Sequence, residues 1–135
     1  MFDTKITIAV RDDLAAWQKL NVVAFLASAI AARHPEAIGE TYRDHDGQAY
    51  LPILGQPVLI LAGPGEALAT GHRRALARGL DLAVYSEGMF STGNDADNRA
   101  VVAALPTDAL DLVGIATRGD RKDVDKAFKG LKLHP

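Results

Sequence analysis

Four short apolar runs limit what this chain can fold into: KITIAV (Lys5–Val10), PVLILA (Pro57–Ala62), LDLAVY (Leu80–Tyr85) and DLVGIAT (Asp111–Thr117). Each is strand-length, nearly continuous in apolar residues and rich in β-branched or aromatic types, the pattern of strands buried on both faces. Helical spacing separates them. Strand–helix alternation of this kind predicts an α/β sheet covered on both sides. The 135 residues, 48% of them hydrophobic, suit a single domain over 1–135 with a proper core.

Between the first two runs, Leu14 to Arg33 reads as a helix whose apolar positions Leu20, Val23, Ala24, Ala27 and Ile30 recur at three- and four-residue spacing. Trp17 and Phe25 extend that face, and His34-Pro35 ends it. Thr41–Leu54 contains Asp46-Gly47, a turn signal for a small exposed hairpin. Gly63-Pro64-Gly65 breaks the second run and opens a helix from Glu66 to Arg78, stopped by Gly79. Ser91–Asp97 is a polar loop. A short helix over Asn98–Leu105, a last helix over Asp120–Lys129 and a packed tail at Leu131–Leu133 complete the chain.

In such sheets ligands sit beyond the carboxyl ends of strands. That rule nominates Arg11, Asp12 and Asp13, then Gly63–Gly65, then Ser86–Phe90. Asp12 or Asp13 is placed to cap the first helix. Arg11, at a strand end, is placed to pair with Glu87 or to fork onto a carboxylate or phosphate. Glu87 is the candidate general base. No metal site is expected, because the four histidines are scattered without ligand spacing and there is no cysteine. AGPGEAL lacks the spacing and lysine of a phosphate-binding loop, so no nucleotide cofactor is expected. A net charge of −2 shows no global basic surplus, although Lys122, Lys126 and Lys129 share one helical face and keep RNA open as a partner. The amino-terminal segment has no signal-peptide pattern and no apolar stretch spans a bilayer, so the expectation is a cytoplasmic protein with no membrane partner.

VRDDL after the first strand, GL before a strand that ends in an acid, and VGIA followed by VDKAFKGLKL resemble type II peptidyl-tRNA hydrolases. An uncharacterised bacterial branch of the same fold is resembled more closely. The resemblance implies an α/β/α three-layer domain with a mixed, mainly parallel sheet of about four strands, and a homodimer. It also implies where the chemistry sits. Lys19 stands in for one basic residue of the family's helix start, and Leu20 or Asn21 takes the place of the second lysine. Ala24 or Phe25 replaces a glutamine. Glu87 followed by Gly88 replaces the family's Asp-Ala-Gly run, and Ser91 or Thr92 replaces a threonine. The implied site is therefore Glu87 and Asp12 for catalysis, with Arg11, Lys19, Asn21, Ser91 and Thr92 around a small ligand. The implied activity is ester hydrolysis or ligand binding at the strand ends, with the Ser91–Asp97 loop closing over it. The alternatives are a non-catalytic binding module and a peptidyl-tRNA hydrolase with substituted groups.

Overall fold

The computed structural model describes residues 2–135. In chain order the elements are β1 (Thr4–Arg11), α1 (Ala16–Arg33), a short ribbon of β2 (Tyr42–Arg43) and β3 (Ala49–Tyr50), β4 (Val58–Gly63), α2 (Gly65–Ala77), β5 (Ala83–Ser86), α3 (Asp95–Ala103), β6 (Leu112–Asp120), α4 (Arg121–Ala127) and β7 (Lys132–Leu133). Three of the apolar runs form strands nearly as read, while in Leu80–Tyr85 the strand begins only at Ala83. The ribbon forms as read: Asp44 accepts the backbone N–H groups of Asp46 and Gln48 at 3.0 Å and the Tyr50 hydroxyl at 2.7 Å. The Tyr50 bond, followed by the Gln48 one, lowers the Asp44 pKa.

The sheet departs from the expectation in strand number and direction. It has five strands, in the order β5-β6-β1-β4-β7, because the tail at Lys132–Leu133 pairs with β4. It is mixed, but only β1 and β4 pair parallel; the β1–β6, β5–β6 and β4–β7 pairs are antiparallel. Strand β6 runs down between β5 and β1, which both run up. The carboxyl ends of β1, β4 and β5 therefore lie at one end of the sheet, and β6 begins at that same end.

Side chains on β1 alternate as a pleated strand requires. Ile6, Ile8 and Val10 join Val22, Leu26 and Ile30 of α1 in one buried cluster. Ala9 joins Ala75 of α2 and Val124 and Ala127 of α4 in another. On β6, Val113 belongs to the α1 cluster, and Gly114 meets α1 as well. The register explains this break in alternation: Tyr85 pairs with Gly114 and Ser86 with Leu112, which leaves Val113 unopposed as a bulge where β5 ends.

The buried stripe of α1 is Val22, Leu26 and Ile30. The predicted stripe is rotated from it: Ile30 is shared, Val23 and Ala27 are half-buried, and Leu20 is 73% exposed. Trp17 and Phe25 are exposed rather than core residues, at 62% and 55%. Strand β4, read as buried, is only half-buried along Val58–Ala62.

His72 is buried on α2. Burial pushes its imidazole below the usual 6.5; Asp108 opposes the shift and Arg73 adds to it. The folded state thus binds fewer protons than the unfolded one near and below that value. The stability linked to His72 is present above it and is lost as pH falls through the lowered value. Urea midpoints should fall between about pH 7 and pH 5, and His72→Gln should flatten that slope. An unchanged slope would show that other groups carry it.

Candidate functional site

Two separate arrangements lie toward the β5 side of the sheet, one at the end where β1, β4 and β5 finish and one running along the edge strand β5 from Ala83 to Tyr85. The first is a charged cluster around Arg11. Adjacent strands lie about 4.8 Å apart, so Arg11 and Glu87, on either side of β6, start roughly 10 Å from each other at the backbone. Their long side chains close that gap: Arg11 Nη2 lies 2.8 Å from Glu87 Oε2. Arg11 Nε donates to Asp13 Oδ1 at 2.5 Å, and Nη1 lies 3.7 Å from Asp111 Oδ1. One guanidinium serves three carboxylates. The bond to Asp13 is the largest influence holding Arg11 protonated, ahead of the charge of Glu87 and against partial desolvation. Asp111 was not foreseen. It joins the cluster because β6 is antiparallel and therefore starts where β1 and β5 end. Its backbone carbonyl also accepts the Glu87 N–H at 2.8 Å.

Neither aspartate caps α1. The helix begins at Ala16, and the backbone N–H of Ala15 donates to the Gln18 side chain at 2.9 Å. Gln18 thus satisfies the Ala15 N–H from inside the first turn, a different donor from the second and third helical N–H groups that a capping aspartate would meet. Asp13 is held by Arg11 instead. The Asp12 side chain is exposed, while its N–H extends the β1–β4 pairing by bonding to the Gly63 carbonyl at 2.9 Å.

The second arrangement is a hollow of about 530 Å³ between α1 and the segment from β5 to the start of α3. Trp17, Phe25, Tyr85 and Phe90 all line it. Their ring centroids follow one another at short range: Trp17–Phe90 5.9 Å, Phe90–Tyr85 5.2 Å and Tyr85–Phe25 6.1 Å. Interplanar angles of 69°, 45° and 44° turn each ring against its neighbour. Burial raises the Tyr85 phenol pKa. Polar groups edge the hollow. Asn21 Oδ1 lies 3.5 Å from the Tyr85 hydroxyl, and Thr92 Oγ1 sits between the Met89 carbonyl and the Asn98 side chain.

Of the residues named from sequence, Asn21 and Thr92 line this hollow, while Arg11, Asp12, Lys19, Glu87 and Ser91 are not among its walls. Lys19 points elsewhere, with its amine 3.2 Å from His134 Nε2. Ser91 is exposed at the end of a 3-10 turn, Glu87–Ser91. The predicted Ser91–Asp97 lid is shorter than expected, because Asn94 caps α3 by accepting the Asp97 N–H at 2.8 Å. Thr92, Gly93, Asn94 and Asp95 form one side of the aromatic hollow. The helical spacing places Trp17 and Phe25 on the core face of α1, which hides the aromatic walls from the sequence. Their signal was steric: large rings on the side of a helix turned away from its aliphatic stripe.

The profile of a family described as "Protein of unknown function (DUF2000)" matches residues 4–135. No curated protein matches the chain. A solved structure of a protein of unknown function from Agrobacterium tumefaciens is similar over 100% of both chains, at 52% sequence identity and a TM-score of 0.98. Neither description names an activity.

Proposed function

We propose, for a chain that belongs to the DUF2000 family of proteins of unknown function, that the aromatic hollow is a binding site for a small organic molecule. The observation that carries this reading is the gathering of four rings on one concave surface of about 530 Å³. Small-molecule sites are concave, mostly apolar and furnished with a few convergent polar groups, and Asn21, Thr92 and Asn98 supply those here. Exposed rings such as Trp17 and Phe25 leave apolar area uncovered that a ligand would bury.

The scaffold proposed with it is a single three-layer α/β/α domain, supported by α1 packing into one buried cluster and α2 and α4 into the other. A homodimer is supported by the half-buried state of β4 beside the exposed Leu20 and Leu133, apolar surface that a second copy would cover. A hydrolytic version of the site, including the peptidyl-tRNA hydrolase reading, would use Glu87 to accept protons with Asp12 beside it. Glu87 is committed to Arg11 and Asp12 faces solvent, so binding is preferred to catalysis.

Trp17 is the chain's one tryptophan, which makes its fluorescence a reporter of the hollow. A panel of small cyclic and branched organic molecules should contain compounds that change this emission in a saturable way. Phe90→Ala and the milder Asn21→Ala should each weaken their binding, Phe90→Ala by at least about tenfold, about 1.4 kcal/mol. Binding that survives both variants but is lost in Glu87→Gln would move the site to the charged cluster and overturn the proposal.

A further inference from the structure

We infer that the ligand of the aromatic hollow is an organic cation, an inference that rests on reading the hollow as a ligand site. The first argument is the sign of the charge around it. Among the described residues, the walls include one charged side chain, Asp95, and no lysine or arginine. A phosphate or carboxylate brought here would lose water without gaining a counter-charge, which is costly. Arg99, one helical turn along α3 and outside the walls, pairs with Asp95. Both side chains of that pair are largely exposed, so the pair is weak and Asp95 can be shared with a ligand.

The second argument concerns the start of α3, which borders the hollow. A helix start carries partial positive charge and would ordinarily favour an anion. Here Asp95 and Asp97 both lie in the first turn, and Asn94 already caps the Asp97 N–H. The charge that would draw an anion is offset by the helix's own residues.

The third argument is the rings. An aromatic face is the negative part of the ring quadrupole and attracts a cation without needing to strip it of a tight hydration shell. Four rings around one hollow suit a cation whose charge is spread over methyl groups, because that ligand also buries apolar area. The volume points the same way, being many times what a bare metal ion occupies. Asn21, Asn98 and Thr92 add polar side chains to the lining; the Asn21 oxygen already meets the Tyr85 hydroxyl and the Asn98 oxygen the Thr92 hydroxyl, each with a second lone pair left.

The test compares three molecules of one shape and different charge. These are choline, the uncharged dimethylbutanol in which carbon replaces the nitrogen, and the anion dimethylbutanoate. Each is titrated into the full chain and followed by Trp17 emission and by side-chain amide chemical shifts. Choline is expected to bind about tenfold more tightly than dimethylbutanol and dimethylbutanoate more weakly than either. Asp95→Asn, an exposed substitution, should weaken choline two- to threefold and leave dimethylbutanol unchanged. Equal binding of all three, or tighter binding of the neutral or anionic molecule, would overturn the cation while leaving the hollow as a ligand site. No response from any of the three would overturn both.

Discussion

Gly114→Ala is expected to destabilise the protein by about 3 kcal/mol, the upper part of the range for overpacking a core. For a chain of this size that lowers the melting temperature by about 10 °C. The reason is the closeness of α1 to β6. A Cβ on Gly114 would overlap Val22 Cγ1 and sit 3.0 Å from Leu26 Cδ1, and both side chains are buried in the α1 stripe. These neighbours have nowhere to move, since Ile8, Val10 and Val113 pack in the same cluster. Gly93→Ala is the control: a Cβ there meets nothing within 4 Å, and the backbone is not in the left-handed region. Its melting temperature should stay within a degree or two of the parent. Adding Val22→Ala to Gly114→Ala removes the overlap and should recover part of the loss. If Gly114→Ala melts like the parent, the α1–β6 packing described above is wrong.

Arg11→Ala is expected to cost about 1–2 kcal/mol, more than an ordinary surface arginine. Each carboxylate it serves is more than a third exposed, at 67% for Asp13, 44% for Glu87 and 65% for Asp111. Any one pair would therefore contribute little. Removing the shared cation leaves three acids facing one another, and the Glu87 oxygen that contacts Arg11 is itself shielded from water. A second substitution, Glu87→Gln, should return part of the stability by relieving that repulsion. The difference between Arg11→Ala and the parent should shrink in high salt, where exposed charges are screened. Chemical denaturation of the single and double variants at low and high salt reads both effects. An additive double variant would show that Arg11 and Glu87 do not interact.

The four apolar runs were legible because composition and length together leave few alternatives for KITIAV or PVLILA. Strand order was not legible. Nothing in DLVGIAT distinguishes a strand running up beside its neighbours from one inserted downward between them, and that insertion brings Asp111 to Arg11. The tail Leu131–Leu133 was expected to pack, and its last two residues pair with β4. The face of α1 was ambiguous for a physical reason. With alanine at 24, 27, 29, 31 and 32, several stripes of the helix are apolar. The choice falls to the side whose Val22 and Leu26 fit against the missing side chain of Gly114. The same rotation carries Trp17 and Phe25 out of the core and into the hollow.

The pairing of Arg11 with Glu87 was readable, because both follow strands whose carboxyl ends meet at one end of the sheet. The capping role of an aspartate was not. A carboxylate beside an arginine and near a helix start can serve either, and Asp13 is taken by Arg11 at 2.5 Å, leaving the start of α1 to Gln18. Asn21 and Thr92 came from the resemblance and line the hollow, while Lys19 and Ser91 came from the same source and lie outside its walls.

The claim that the aromatic hollow, rather than the Arg11 cluster, receives the ligand is tested most directly by a chemical-shift titration of the full chain with choline and dimethylbutanol. The account expects the largest saturable shifts at the Trp17 indole N–H and the side-chain amides of Asn21 and Asn98. Shifts centred instead on the Arg11 side chain and the backbone amides of Glu87 and Leu112, with Trp17 unmoved, would contradict it.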